Sequence, residues 1–330
     1  MRAVVVHEFG PPQSLDLAEI ADPIPNADEV LVSIRATAVN FVDLLVIEGK
    51  YQFLPQRPFA PGKLPAGVIA AVGANVTELH IGDRVLTFAE QGGFAEMVAV
   101  PAKLCYPLPD SMPFTDVASL SLAFDTAWMA LHERARTQAG ETVLVLGASG
   151  AVGQAAVQLA KYMGARVIAG VNSPEKAAVV QQLGADAVVY QQAADLRESL
   201  RQQIYGVNNG KGVDVILDPL GGDVFDAAIR GLAWRGRLVI IGFAAGRIPQ
   251  LKVNYLLLKN IEVSGLQISD YRRRTPELMR QCLADIFEGY LTGKLRPEPV
   301  RSFALHEFTQ AAASVRDRTA GGRVVLEPGR

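Results

Sequence analysis

The stretch VLVLGASGAVGQAAVQLAKYMGARVIAGVNSPEKAAVV, residues 143–180, carries glycines at a spacing that suits phosphate binding. Aligned on its end, the turn reads Ala148-x-Gly150-x-x-Gly153. Gly150 would let the backbone approach a pyrophosphate, and Gly153 would let the following helix pack closely on the preceding strand. The helix start would offer unpaired N–H groups and a partial positive charge to the phosphates. An apolar strand precedes the turn and a second strand follows the helix, which is the context that gives such a motif meaning. That second strand ends in Gly170-Val171-Asn172-Ser173, with no acidic residue to hold a ribose diol and with Lys176 just beyond. A 2′-phosphate would be repelled by an acid there and attracted by a cation, so the pattern points to NADPH rather than NADH. Glu175 should leave the helix start on a different face from Lys176. The competing reading of Lys176 is a solvated surface lysine.

The elements that must position these residues follow from pattern and composition. The chain has 330 residues, 49% hydrophobic and 20% charged, a globular composition with length for two domains. A net charge of -2 gives no basic surface for nucleic acid or an anionic membrane. Two cysteines, Cys105 and Cys282, make no disulfide framework, and each reads as a buried thiol. The start, MRAVVVHEFG, lacks the apolar core of a signal peptide, and no apolar run approaches the ~20 residues of a membrane span, so a cytoplasmic protein is expected.

Residues 1–120 read as short strands rich in β-branched residues (RAVVVHEF, EVLVSIRATAV, GVIAAVG, DRVLTF, FAEMVAV), separated by glycine- and proline-rich loops. From 121 to 265, strands alternate with helices. TVLVLG, RVIAGV, DAVVY, VDVILD, RLVIIG and IEVSGL are continuous apolar runs, as expected of a parallel doubly wound sheet covered on both faces. The tail, 266–330, holds two helices and the strand GRVVLEP, and is expected to complete the first domain.

A β-rich domain, a Rossmann domain and a returning tail together resemble the medium-chain dehydrogenase/reductase superfamily. Within it the chain resembles the zinc-independent, zeta-crystallin-like NADPH:quinone oxidoreductases. The resemblance rests on NFVDLLVIEGKY (residues 40–51), IGDRV, GGFAEMVAV, GASGAVG, VSGLQ and GGRVVLEP. It implies an α/β fold with a GroES-like catalytic domain and a doubly wound, parallel-sheet Rossmann cofactor domain. Two departures mark the expected substrate region: Leu64 replaces a common acid in FAPGKLPAGVI, and Ile47 stands where relatives often carry arginine. Asn40 and Gly62-Lys63-Leu64 occupy the places of zinc ligands in other members, and the lobe of four close cysteines is missing. His7, His80, His132 and His306 are scattered without ligand spacing, so no metal is expected. Without a Lewis acid, reduction of a quinone or activated double bond fits better than alcohol oxidation.

The resemblance also implies roles. Asn40 and Tyr51 would face the nicotinamide, Asn40 holding its ribose or ordering the acceptor. Tyr51 would either donate a proton or pack as an aromatic lid. Asp43 reads as a helix-turn or interdomain hydrogen-bond acceptor. Thr126 would approach the nicotinamide, and Ser149, Gly150, Ala151 and Val152 would line the pyrophosphate. Gly170, Ser173, Lys176 and Tyr190 would surround the 2′-phosphate. Gly242 and Phe243 would stand at a strand's carboxyl end, Leu266 and Gln267 would offer backbone groups to the carboxamide, and Arg323 is either a basic residue near the cofactor or a surface arginine. The implied reaction is hydride transfer from NADPH, bound between the domains, to a small quinone or enone. Reduction of 2-enoyl thioesters is the alternative enzyme reading, with YRRRTPELMR (residues 271–280) as the one candidate basic patch for a carrier. A weakly catalytic, structural or RNA-associated NADPH-binding protein is the alternative from another class. No nucleic acid and no membrane partner is expected, and the resemblance implies a homodimer paired edge to edge near KNIEVSGL.

Overall fold

The computed structural model describes residues 1–317, 319 and 321–330. In chain order its first elements are β1 (Arg2–Val4), β2 (Leu17–Glu19), β3 (Glu29–Ala38), α1 (Phe41–Ile47), β4 (Ala66–Val72), β5 (Arg84–Thr87), β6 (Met97–Pro101), β7 (Cys105–Pro107) and α2 (Phe114–Trp128). Then come β8 (Thr142–Val145), α3 (Ala151–Tyr162), β9 (Arg166–Val171), α4 (Pro174–Gln182), β10 (Ala187–Tyr190), α5 (Leu196–Val207), β11 (Val213–Asp218) and α6 (Gly222–Ala228). The chain ends with β12 (Leu232–Ile240), α7 (Asn254–Lys259), β13 (Glu262–Gly265), α8 (Ile268–Arg274), α9 (Pro276–Leu291), β14 (Val300–Ala304), α10 (Phe308–Arg316) and β15 (Arg323–Glu327). Two compact units result. Unit 1 is 1–122, 272–280 and 297–330, and unit 2 is 123–271 and 281–296.

Unit 1 is built on a sheet of order β14-β15-β3-β4-β5-β7, with β6 also paired to β3. β3 alternates along most of its length, burying Val30, Val32, Ile34 and Ala36, because one face of an antiparallel strand meets the core. The C-terminal strand β15 closes on β3 through Val325↔Ala38 and Leu326↔Thr37. Val39 N–H then donates to Val324 O at 2.9 Å, which sets the end of β3 beside the start of β15. The main core gathers Val4, Leu44, Ile47, Phe94, Phe308 and Leu326. β14 has no counterpart among the strands expected from sequence. Its five residues, VRSFA, include two polar ones and lack a sustained apolar run, so its pairing partner β15 reveals it and its pattern does not.

In unit 2 the sheet order is β10-β9-β8-β11-β12-β13, parallel throughout. β8 and β11 are almost wholly buried, as strands covered on both faces must be. The order reverses direction between β8 and β11, which makes that gap the topological switch point of a doubly wound fold. Residues 281–296 pack here too: Trp128 Nε1 donates to Asp285 Oδ2 at 2.9 Å, and Gln158 Nε2 to Arg296 O at 3.1 Å. Among the described residues, no helix is long and apolar enough to cross a membrane.

The β8–α3 turn sets how closely that helix approaches the sheet. A β-carbon on Gly153 would lie 2.3 Å from Gly147 O and 2.7 Å from the Ala148 Cα, both backbone atoms that cannot swing away. On Gly150 it would meet only Gly147 O, at an ordinary 3.4 Å. Gly153→Ala is therefore expected to lower stability by about 1–3 kcal/mol, as overpacking does, while Gly150→Ala leaves it within about 0.5 kcal/mol. Urea unfolding of the two variants beside the parent chain checks both.

Candidate functional site

Parallel strands carry all their carboxyl ends to one edge, and in unit 2 that edge collects the loops of interest. Pairing of Leu217 with Val145, Asp218 with Ile240 and Ile240 with Gly265 aligns the ends of β8, β11, β12 and β13. Ser149, Gly150, Ala151 and Val152 follow β8. Gly242 and Phe243 follow β12, where Gly242 N–H donates to Asp218 O at 3.3 Å. Leu266 and Gln267 follow β13, anchored by Leu266 N–H to Ile240 O at 2.9 Å. Thr126, buried, lies in α2 and donates to the Asp125 carboxylate at 3.2 Å.

Gly150 is the N-cap of α3 and supplies no side-chain acceptor, and the first turn holds no acidic residue. The leading N–H groups of this helix are thus left for an anion, with the helix dipole favouring it. Sequence alignment began the motif one residue late. Gly147, at φ +57°, makes the tight turn, and its N–H is met by Gln191 Oε1 at 3.3 Å. The spacing G-x-x-G-x-x-G from Gly147 to Gly153 was available in the sequence as the signal.

The end of β9 is organised by polar contacts. Ser173 caps α4, its Oγ accepting from Lys176 N–H at 3.4 Å, with Pro174 in the first helical turn. A hydrogen bond from Ser173 holds the Glu175 carboxyl below its ordinary range. Lys176 Nζ donates to Asn172 Oδ1 at 2.8 Å, which fixes the ammonium beside the strand end. Tyr190 pairs across from Val171, so its exposed ring stands at the same corner. At Gly170, beside this corner, a β-carbon would sit 2.3 Å from Gln191 Nε2. Gln191 is thus a missed residue that supports both the Gly147 turn and Gly170. It lies one strand over, and sequence spacing carries no sign of it. Nε2 of Gln191 has no hydrogen-bond partner among the described residues.

Asp218 is a second missed residue. Its Oδ1 accepts from Leu220 and Gly221 N–H, each at 2.9 Å, and so shapes the turn after β11. Burial raises its carboxyl above the ordinary range against those two bonds.

Unit 1 holds the other candidates in a buried polar cluster. Asn40 caps α1 reciprocally with Asp43: Asn40 N–H and Nδ2 donate to Asp43 Oδ2 at 2.8 and 3.1 Å. Nδ2 also donates to Ala38 O at 3.2 Å, and Arg323 Nη2 donates to Asn40 Oδ1 at 2.6 Å. Both amide hydrogens are thereby committed, and one lone pair of Oδ1 remains. Arg323 is buried, not a surface residue, and burial lowers its pKa against the opposing pull of Glu298 and Asp43. Burial likewise lifts Asp43 to about 6, with Lys63 and the Asn40 bonds pulling the other way. Tyr51 is half-buried, edge-on to Phe53 with centroids 6.4 Å apart. Lys63, from the Gly62–Leu64 turn, is buried and pairs with Glu90 at 2.6 Å. Among the described residues, no three or more His, Cys, Asp or Glu side chains group so that they could hold a metal.

The unit 2 edge fits a dinucleotide on its own geometry. A β-carbon would meet only Gly147 O at Gly150 and only Pro219 O at Gly242, each at 3.4 Å, and no side chain caps the helix start. Unobstructed main chain beside uncapped helix N–H groups is the chemistry a pyrophosphate requires.

Comparisons with known proteins agree on what this chain is similar to. Residues 26–110 match the family model for the alcohol dehydrogenase GroES-like domain, and residues 151–284 the one for zinc-binding dehydrogenase. The chain is 36% identical over 328 residues to a quinone oxidoreductase-like protein 2 homolog of Nematostella vectensis, covering 98% of this chain and 88% of that one. Its structure is similar to Escherichia coli quinone oxidoreductase complexed with NADPH, with a TM-score of 0.90 and 26% identity over 99% of this chain and 100% of that one. It is also similar to CurK enoyl reductase, with a TM-score of 0.87 and 27% identity over 99% and 98% of the two chains.

The Asp43 environment has a measurable consequence. Its folded pKa of about 6 lies above the ordinary 3.8, so the native state holds the proton more tightly than the unfolded chain. Between about pH 4 and 6 the stability contributed by this group falls as pH rises, by on the order of 3 kcal/mol in all. Asp43→Asn keeps an oxygen for both Asn40 donors and removes the titration. Its urea-unfolding free energy should be flat across that window where the parent chain's declines.

Proposed function

The chain belongs to the quinone oxidoreductase (zeta-crystallin-like) family of medium-chain dehydrogenase/reductases, and on that premise we propose that it is an NADPH-dependent reductase of quinones and other activated α,β-unsaturated carbonyls. The observation that carries this reading is the β8–α3 turn, with a helix start that no side chain caps, no side chain against Gly150 and no acid at the end of β9. When bound, NADPH supplies the hydride. We assign the pyrophosphate to Ser149, Gly150, Ala151 and Val152, and the 2′-phosphate to Ser173 and Lys176 with Tyr190 beside them. Asn172 holds Lys176 ready, and Gln191 supports the turn from below. Gly242, Phe243, Leu266, Gln267 and Thr126 are assigned to the nicotinamide end.

In unit 1 we assign Tyr51 as the proton donor to the acceptor. Asn40, locked by Asp43, Ala38 and Arg323, presents its remaining lone pair in one fixed direction, which suits a hydroxyl donor such as a ribose. Arg323 thus acts by holding Asn40. Zinc-independence is supported by the donor types: the ligand positions hold an amide whose hydrogens are spent and a lysine ammonium. The protein's contribution is orientation and exclusion of water around an acceptor that already delocalises the incoming charge. A second reading, reduction of 2-enoyl thioesters, is favoured by Tyr51 and by the likeness to CurK enoyl reductase. We further assign a homodimer through the free edge at β13, next to Leu257 and Leu258 of α7, which are 79% and 73% exposed.

Oxidation of NADPH and NADH side by side against 1,4-benzoquinone, 9,10-phenanthrenequinone, an alkenal and crotonyl-coenzyme A tests the reading. NADPH-dependent turnover of quinone or alkenal is expected. Turnover confined to the thioester moves the assignment to enoyl reduction, and tight NADPH binding without any turnover makes this a non-catalytic member. Lys176→Ala should weaken NADPH binding by about 1–3 kcal/mol and spare NADH, through loss of a charge-assisted contact. Equal weakening of both cofactors in calorimetry removes the 2′-phosphate assignment. Gel filtration should return twice the subunit mass, and Leu258→Glu should return the mass of one chain.

A further inference from the structure

Lys63 is a buried ammonium at a strained turn. Gly62 has φ +95°, where a β-carbon would strike Phe94 at 2.4 Å, and Leu64 sits at φ +56° although it is not glycine. Left-handed backbone at a leucine persists only where its surroundings impose it, and such outliers cluster at functional sites. The imposing contacts are backbone bonds to the loop that carries Glu90: Leu64 N–H to Ala89 O at 2.8 Å, Gly93 N–H to Gly62 O at 3.0 Å and Gly92 N–H to Ala60 O at 2.8 Å. The two segments are therefore zipped together without help from Lys63.

Lys63 shares Glu90 with a second cation. Arg272 Nη1 already donates to Glu90 Oε1 at 3.0 Å, while Lys63 Nζ donates to Glu90 Oε2 at 2.6 Å and to Glu90 O at 3.2 Å. Burial would raise the Glu90 carboxyl, but Arg272 and Lys63 outweigh it and hold it at about 2, so the carboxylate is permanently charged between two cations. Asp43 is the other carboxylate that senses Lys63. Lys63 is thus a buried ammonium held between two carboxylates, with its charge already desolvated. On another side Lys63 Nζ lies over the Tyr51 ring, 5.7 Å from the centroid, within the range of a cation–π contact.

We propose that Lys63 is a positioning residue for the reduction, its ammonium holding the Tyr51 ring and stabilising the negative charge that Tyr51 acquires as it gives its proton to the acceptor. This rests on the reading of Tyr51 as proton donor. In the step, a hydride adds to the acceptor carbon and the π pair of the conjugated system moves to its oxygen, so the acceptor is reduced by two electrons and NADPH becomes NADP⁺. The Tyr51 O–H bond breaks and its proton goes to that oxygen. Water then reprotonates the phenolate. Lys63 keeps all three of its protons throughout and stays paired to Glu90.

A double-mutant cycle on the full chain tests this, using NADPH with 9,10-phenanthrenequinone and, separately, trans-2-hexenal. Tyr51→Phe should lower kcat. Lys63→Met should lower kcat about tenfold with KM for NADPH within about twofold, and in the Tyr51→Phe background the same change should alter kcat by less than about twofold. Lys63→Arg, which keeps the charge, should recover most of the loss. If Lys63→Met lowers kcat equally in both backgrounds, or Lys63→Arg fails to rescue, Lys63 is a structural ion pair and the proposal falls while Tyr51 keeps its role. If Tyr51→Phe leaves kcat unchanged, the reading of Tyr51 itself falls and takes the proposal with it. Should Lys63→Met not fold, Lys63→Gln takes its place in the same cycle.

Discussion

A helix cannot approach a strand as closely as α3 approaches β8 if a β-carbon stands in between, and Gly153 is where that carbon is missing. The 2.3 Å that would separate it from Gly147 O leaves no room for adjustment, since both partners are main chain. Every other feature of the unit 2 edge follows from this approach. It brings the uncapped N–H groups of α3 down to the level of the strand ends. It also places them at the gap between β8 and β11, where the connections turn in opposite directions and leave a crevice. Gly147 turns the chain tightly enough to allow it, and Gln191, from the end of β10 two strands away, braces that turn.

Much of this was legible in the sequence, and the reasons differ by residue. The parallel sheet could be read because buried strands are continuous apolar runs, and VLVLG and VILD have no other comfortable place. Asp43 could be read as a cap because three-residue spacing from Asn40 is local chemistry. Gly147 could have been read and was passed over, since a motif anchored on Gly153 and Gly150 counts back to Ala148. Gln191 and the Arg323 grip on Asn40 were not legible in this way. Each depends on a partner brought near by strand pairing, which no spacing along the chain records. Gly170 shows the limit: its smallness reads as room for a ligand, while the atom beside it belongs to Gln191.

Lys63 was illegible for a further reason. Lysine is among the residues least often buried, so any sequence reading assigns it to solvent. Its burial follows from the left-handed Leu64 and Gly62, which turn the chain so that the side chain points inward toward Glu90 and Tyr51.

The two units handle charge by opposite means, and the difference suits what each must do. On the proposed assignment a dinucleotide arrives and leaves in every turnover, so its pyrophosphate is best met by main-chain dipoles, which gain from the anion when it is present and are solvated when it is not. A side-chain cation buried at the same place would be left unpaired each time the product departs, at a cost of several kcal/mol. In unit 1, on the proposed role of Tyr51, the charge that matters appears only for the moment of reaction. There a fixed ammonium is useful because it is already desolvated and already held, by Glu90, in the position where it acts. Arg272 supports that arrangement, since its own pair with Glu90 helps keep charged the carboxylate that holds the lysine beside Tyr51.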